Sequence, residues 1–506
     1  MNKSAKIGIV FSYILIILNS AFSLFVTPFL IYSLGDLEYG VYKTMTSLTT
    51  SLMVLDLGLG TTAMRFVASF KAKGEDGKIS NYFAMMLIIA SSLSVLGCAA
   101  LFALFFFLPA IYTSFNEEQL NLAKSLYGFL SATVIMHIVD NVFNGVISGY
   151  NRFDFSNGMK VLRLVTRIAL IFSVFIFFKS SLTLVILDLA ITTLFFVIQL
   201  LFVVFRLRIR PKLEKWDKGI FKEVGVYAVL MFLTSIAAQV NNTLDNVVIG
   251  AIKGPSFVTV YSIGLLLFGM FENLATSVSG VMLPSVANII ERDDWQEKAQ
   301  EMIVKVGRVQ FLLLGAAVAG FCLLGNDFIC LWVGERFEDV YIISIILMVP
   351  ALLELCVNTC LAVLRAKNKL GFRTTTLMIT TFCNFVLTVV LVKYWSYIGA
   401  AIGTAFSFIV GSVIVMNIYY YKTFHFNMFK IYGAIFKNIW LCILVSSGVV
   451  FVISRFFNGT WLSFFTNVLI FLVIYAVTLL LFGLNKNEKE SLKLFKKKKN
   501  EEKQNG

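Results

Sequence analysis

The sequence predicts an all-α integral membrane protein of about fourteen transmembrane helices, and three observations carry that reading. Apolar runs of roughly 20 residues, the length of helix that crosses a hydrocarbon core about 30 Å thick, recur from end to end. Of the 506 residues, 58% are hydrophobic and 14% charged, too few charges to cover a water-soluble chain of this size. Basic residues also gather on every second connection, as expected when Lys and Arg are retained on the cytoplasmic side.

The first run, 7–33, follows Lys3 and Lys6, but it is too long for the core of a signal peptide and no A-x-A site closes it. Runs 2 to 6 cover 40–66, 81–108, 123–149, 161–179 and 182–205. Runs 7 to 12 cover 222–250, 258–288, 303–324, 341–365, 374–392 and 397–421. The last two cover 434–456 and 461–483. Phe-rich stretches such as Phe105–Phe107 suit lipid contact. The N-terminus, the connections 65–80, 150–167, 206–222, 291–308, 365–373 and 422–437, and the tail from 485 hold 36 basic residues, against seven on the other side. Both termini are therefore expected in the cytoplasm, which requires an even number of spans. The tail, with Lys493 and Lys496–Lys499, reads either as a solvated anchor of topology or as a contact for anionic lipid or a partner.

Several function classes fall away. The net charge of +14 sits in short loops and the tail rather than on an exposed face, which argues against nucleic acid. There is no GxxxxGK[ST] loop, no HExxH and no nucleophile elbow, so nothing positive marks an enzyme. Seven scattered cysteines form no CxxC pair and read as small packing residues; no metal or cofactor is expected.

The chain also repeats itself. Gly35, Val41 and Tyr42 fall on Gly254, Val260 and Tyr261 at an offset of 219, as do Val67-Ala68 on Val286-Ala287. At 217, Asn141, Val146, Asn151, Arg152 and Phe155 fall on Asn358, Val363, Asn368, Lys369 and Phe372. Six spans per copy return the second copy to the orientation of the first, giving parallel repeats about an axis along the membrane normal. The expected division is a lobe at 1–217, a second lobe at 218–430, an added helix pair at 431–484 and a polybasic tail at 485–506.

Charges inside a membrane cost about 2.5–3.5 kcal/mol each on insertion scales, so they mark a wet path or a partner. Lys43 and Arg65, 22 residues apart on span 2, differ by about 40° around the helix and so share a face. Asn241 and Asn242 stand four and three residues before Asp245, on its face. With Glu272 these six are the candidate substrate path. Glu354, Asn358 and Arg365 form a second polar stripe, and His137 with Asn141 is its repeat counterpart; these five are candidates for ion coupling. Interhelical hydrogen bonding is the competing account for Asp245 and Glu272. For Arg65, Arg163, Arg167 and Arg365, placed near cytoplasmic ends, it is snorkelling. Asp56, ahead of Gly58 and Gly60, fits a distorted, capped helix as well as a transport role.

These residues resemble the polysaccharide-exporting flippases of the multidrug/oligosaccharidyl-lipid/polysaccharide superfamily, the O-antigen and capsule repeat-unit transporters. The likeness is carried by Pro28–Gly35, by Glu38-Tyr39-Gly40-Val41-Tyr42, by Asp56–Gly60 leading to Arg65, by 144–152, and by Asp245 with Ile249-Gly250 and Tyr261. It covers essentially the whole chain. It implies two MATE-like six-helix lobes that open alternately to each side, in a bacterial plasma membrane. It implies a cargo of oligosaccharide on undecaprenyl pyrophosphate, membrane lipids around it, a proton or sodium counter-ion, and a glycan polymerase acting next. Basic residues serve the anionic cargo in such proteins, and Lys43 and Arg65 occupy first-lobe positions for that part. Span 1 has no Lys or Arg between Lys6 and Lys43, unlike lipid II flippases. A cation-coupled multidrug antiporter and a membrane glycan polymerase or ligase remain as alternatives; the first usually has twelve spans, the second a large external loop.

Overall fold

The computed structural model describes residues 3–485 and Glu488, apart from 176, 217, 220–224, 226–242, 281–288, 368, 456 and 458. Among the described residues the structure is helical with no strand, and nine helices are long and apolar enough to cross a membrane, or ten if one bent pair counts as a span; most of the run at 222–250 and the end of the run at 258–288 lie outside the described residues. Two of the nine are double. Helix α1 (Lys3–Ser51) turns sharply at Gly35, whose φ of 76° belongs to the left-handed region open to glycine. The long helix beginning at Leu370 breaks likewise at Trp395 and Ser396. The protein is a multi-pass, all-α membrane protein.

Contacts divide it into two compact units, Met1–Ser262 with Thr381–Gly403, and Ile263–Thr380 with Thr404–Gly506. In the first, α4 (Glu117–Gly149), α5 (Phe153–Val174) and α6 (Ser181–Leu201) pack on α1 and on one another, and α2 (Leu59–Ala72) and α3 (Asp76–Ile111) pack on each other and on α4. A capping box starts α4: Asn116 Oδ1 accepts from the Gln119 N–H at 2.8 Å, and Gln119 Oε1 accepts from the Asn116 N–H at 3.1 Å. Glu38 holds the start of α6, its Oε1 accepting from the Ser181 N–H (2.6 Å) and hydroxyl (2.7 Å), where the helix dipole favours an anion. A Cβ on Gly145 of α4 would run into the Gly60 carbonyl of α2, so these two backbones meet because both residues lack side chains.

In the second unit the helices are α8 (Pro255–Gly280, from Ile263 onward), α9 (Trp295–Trp332), α10 (Asp339–Cys356), α11 (Thr359–Ala366), α12 (Leu370–Ser407, outside 381–403), α13 (Met416–Phe424), α14 (Met428–Phe436), α15 (Ile439–Ser454) and α16 (Trp461–Thr478). A short helix of the first unit, Thr243–Ile252, takes the remaining label α7. The hydrophobic core of the second unit joins Ile303 and Phe311 of α9 to Cys356, Cys360, Tyr420, Phe424 and Ile435.

One buried cation fastens the last helices to that core. Arg308 of α9 is 2% exposed. It donates through Nη1 to the carbonyls of Ala434 (2.9 Å) and Lys437 (3.1 Å), and through Nη2 to Gly483 O (3.0 Å). Its Nε and Nη2 grip Glu488 at 2.7 and 3.1 Å. The basic residues Lys493 and Lys496–Lys499 lie outside the described residues. Burial pushes the Glu488 carboxyl up, but the Arg308 fork and the Asn485 N–H outweigh it and hold it below the usual glutamate range.

Arg308→Leu strands Glu488 and three carbonyls, and is expected to cost about 3 kcal/mol in thermal unfolding of the detergent-solubilised protein. Arg308→Lys, which keeps the charge and loses the planar fork, recovers only part; equal stability of all three proteins contradicts the assignment. Because the Glu488 pKa is depressed on folding, its contribution is complete above about pH 4.3 and is lost as pH falls through the lowered value. Proteolysis at the residues after Gly483 should therefore accelerate on acidification in wild type and already be fast at neutral pH in Glu488→Gln.

Candidate functional site

The first unit holds a cluster of charges inside its helices. On α5, Lys160, Arg163 and Arg167 stand at i, i+3 and i+7 and so share one face. They line a cavity of about 290 Å³ with Leu15 and Asn19 of α1, Thr133 and His137 of α4, Leu164 of α5, and Asp188, Ile191 and Thr192 of α6. Asp188 and Thr192, four residues apart, face the basic stripe. Arg167 Nη2 donates to Asp188 Oδ2 at 2.7 Å, with Nε 2.6 Å from Oδ1. Arg163 Nη2 donates to Thr192 Oγ1 at 2.5 Å and lies 3.3 Å from His137 Nε2, while Nη1 is 3.8 Å from Asp140 Oδ2. Asp140 is buried and accepts from Gln199 Nε2 at 2.7 Å. Lys43 and Tyr42 of α1 lie within electrostatic reach of Arg167.

The snorkelling account of Arg163 and Arg167 therefore fails. The helix starts at Phe153, eight residues before the start read from hydropathy at 161, because its first turns carry the polar residues Asp154, Ser156 and Asn157. Arg163 and Arg167 lie about 15 and 21 Å along it, paired with groups on neighbouring helices rather than extended to an end. The spacing of Lys160, Arg163 and Arg167 was the signal that marks a basic face of α5, though not the Asp188 and Thr192 of α6 that it meets.

The shared face of Lys43 and Arg65 also needs correction, because span 2 is not one helix. A 3₁₀ segment, Leu52–Asp56, and two left-handed residues, Leu57 (φ 50°) and Gly58 (φ 66°), separate α1 from α2. Arg65 is exposed on α2, its guanidinium 6.0 Å from the Phe66 ring centroid. Lys43 is half-buried, 5.4 Å from the Tyr39 ring centroid. The Asn141 side chain turns to Asp56 rather than to its stripe neighbour His137; the distortion at Asp56 is thus present.

A second cluster surrounds Asp245, which is 3% exposed. Tyr261 Oη donates to Oδ2 at 2.5 Å, and Thr388 Oγ1 lies 3.1 Å from Oδ1 and 3.3 Å from Asn384 Oδ1. Asn246 Nδ2 donates to Ser47 Oγ at 3.0 Å. Asn241 and Asn242 lie outside the described residues. All of the described partners belong to the first unit. A third cluster, in the second unit, brings Glu272 within electrostatic reach of Glu354, whose Oε1 is 3.7 Å from Arg373 Nη2. The chain breaks between α10 and α11 at Val357 and Asn358, so Glu354 and Asn358 do not continue as one stripe to Arg365, which is exposed. Arg373 was not singled out in the sequence.

These features define the class: a multi-pass helical membrane protein with ion-paired charges in its interior. The family model described as "Polysaccharide biosynthesis protein" matches residues 7–290, more than half of the chain, and the chain belongs to that family. The uncharacterized membrane protein EpsK of Bacillus subtilis is 20% identical over 343 residues, 64% of this chain and 64% of its own length. The probable flippase AglR of Haloferax volcanii is 26% identical over 181 residues, 34% of this chain and 37% of its own. The chain thus spans less than two thirds of these curated relatives. Among solved structures, the lipid II flippase MurJ in an inward closed conformation matches with a TM-score of 0.72 at 16% identity, covering 93% of this chain and 97% of that one. An inward-facing MATE multidrug transporter matches with a TM-score of 0.57 at 18% identity, covering 79% and 95%. At such identities the likeness speaks for the fold alone.

Tyr261→Phe removes a hydrogen bond to a buried carboxylate and is expected to cost about 1.5–3 kcal/mol in thermal unfolding, against about 1 kcal/mol for Thr388→Val. The reverse order would contradict the assigned geometry around Asp245.

Proposed function

We propose that the protein is a flippase for surface polysaccharide biosynthesis, moving oligosaccharide repeat units linked to undecaprenyl pyrophosphate from the cytoplasmic to the outer leaflet by alternating access. The product would feed an O-antigen, capsule or exopolysaccharide polymerase. Family membership, the flippase named among its relatives and the fold shared with a lipid flippase support this reading. The observation that carries it is the basic cavity of the first unit.

A pyrophosphate cannot cross hydrocarbon without a counter-charge. Lys160, Arg163 and Arg167 present three cations to a cavity whose lining holds one carboxylate, Asp188. Arginine forks match phosphate oxygens two at a time, and in a site shielded from water such pairs are stronger than at a surface. His137 and Thr192 add hydrogen-bonding groups, and Lys43 adds a fourth cation near Arg167. The same cavity would repel the amphiphilic cations that a multidrug antiporter exports.

Orientation in the plasma membrane with both termini in the cytoplasm rests on the excess of basic residues in the connections of that side, which remains large when Lys160, Arg163 and Arg167 of α5 are left out. An inside-negative potential then favours outward movement of the anion by about 2.3 kcal/mol per charge per 100 mV. Asp245, held by Tyr261 and Thr388, is the proposed seat of a coupling proton or sodium ion, with Glu272 and Glu354 as the second-unit counterpart.

Arg163→Gln and Lys43→Ala are expected to abolish surface glycan in a complementation assay while the protein still reaches the membrane. Wild-type glycan from both variants would discard the basic cavity as the substrate site.

A further inference from the structure

The two carboxylates of the basic cluster are held differently, and this deepens the flippase reading on which it rests. Asp140 is locked: its side chain is 7% exposed, and Gln199 holds it while Arg163 stands off at 3.8 Å. Asp188 is open. It lines the cavity, with its side chain 22% exposed and that of its partner Arg167 32% exposed. We propose that Asp188 is a resident counter-anion: it occupies Arg167 while the cavity is empty, yields it to a phosphate of the cargo, and on its return expels the cargo.

Two features of the geometry argue for exchange. Arg167 donates to Asp188 Oδ2 at 2.7 Å through Nη2, while its Nε, 2.6 Å from Oδ1, makes no hydrogen bond, so the carboxylate leaves unfilled part of the fork that a phosphate could take two oxygens at a time. The α6 backbone is secured independently, because the Thr192 hydroxyl donates to the Asp188 carbonyl at 2.6 Å and accepts from Arg163. The Asp188 side chain can therefore leave Arg167 without unwinding its helix. The need for such a group is electrostatic: without a carboxylate, Arg167 would stand uncompensated among apolar helices whenever the cavity is empty. No bond order changes in the step; one ion pair replaces another, and the water that enters with the phosphate solvates the freed carboxylate.

A competing internal anion weakens apparent binding by the fraction of molecules in which the arginine is free. It also prevents three cations from trapping the cargo. The test uses the full-length protein, with inorganic pyrophosphate as probe for binding and a fluorescent prenyl pyrophosphate in proteoliposomes for turnover. If Arg167 is free in about a tenth of wild-type molecules, Asp188→Asn binds pyrophosphate about tenfold tighter and yet moves the lipid more slowly. Asp188→Glu restores both towards wild type. A residue that only supports the fold would lose binding and turnover together. Unchanged or weaker binding in Asp188→Asn, with binding still abolished by Arg163→Gln, overturns the counter-anion and leaves the flippase reading intact. Pyrophosphate binding that is indifferent to both substitutions, or absent throughout, overturns the cavity as substrate site as well. Should Asp188→Asn fail to fold, infrared difference spectra of wild type decide: pyrophosphate must perturb an aspartate carboxylate band, and an unperturbed band overturns the proposal.

Discussion

A charge carried into hydrocarbon must bring its partner with it, and the interior of the first unit is organised by that constraint. Arg167 brings Asp188; Arg163 brings Thr192, His137 and, at longer range, Asp140. Each pair joins different helices, so the cost of inserting the charges becomes a reason for α4, α5 and α6 to stay in register. Lys160 also lines the cavity, with Asp140 in electrostatic reach, so three cations and the single lining carboxylate Asp188 give the cavity its chemical character. Arg308 shows the opposite outcome of the same rule. It is saturated by three carbonyls and one carboxylate, and so fastens α14, the end of α16 and Glu488 to α9 without offering anything to a ligand.

The class of fold was legible because membrane spans are a matter of length and apolarity, which hydropathy reads directly. Motif residues were legible as motifs but not as jobs. Gly35 and Gly254, paired by the internal repeat, both adopt left-handed φ (76° and 101°) where one helix passes into the next. Glu38 holds α6, and Gly60 with Gly145 brings α2 against α4. Tyr42 and Tyr261, also paired by the repeat, both stand beside charged groups, one near Arg167 and the other on Asp245.

The candidate site was less legible, for two physical reasons. Hydropathy penalises a polar first turn, so the start of α5 was placed eight residues late and its arginines were counted with a loop. Helical-wheel arithmetic assumes an unbroken helix, and the left-handed pair Leu57 and Gly58 cancels the phase relation between Lys43 and Arg65. The break at Val357 does the same to Glu354 and Arg365. Partners on other helices, such as Asp188 for Arg167 or Arg373 for Glu354, require tertiary information that spacing along one helix does not hold.

The central claim is that the cationic face of α5 receives the phosphates of a lipid-linked cargo. A cryo-electron-microscopy structure with a bound prenyl pyrophosphate tests it most directly. The account requires phosphate density within hydrogen-bond distance of Arg163 and Arg167, with the Asp188 carboxylate displaced from its guanidinium. Phosphate density elsewhere, with the Arg167–Asp188 pair intact, would contradict it.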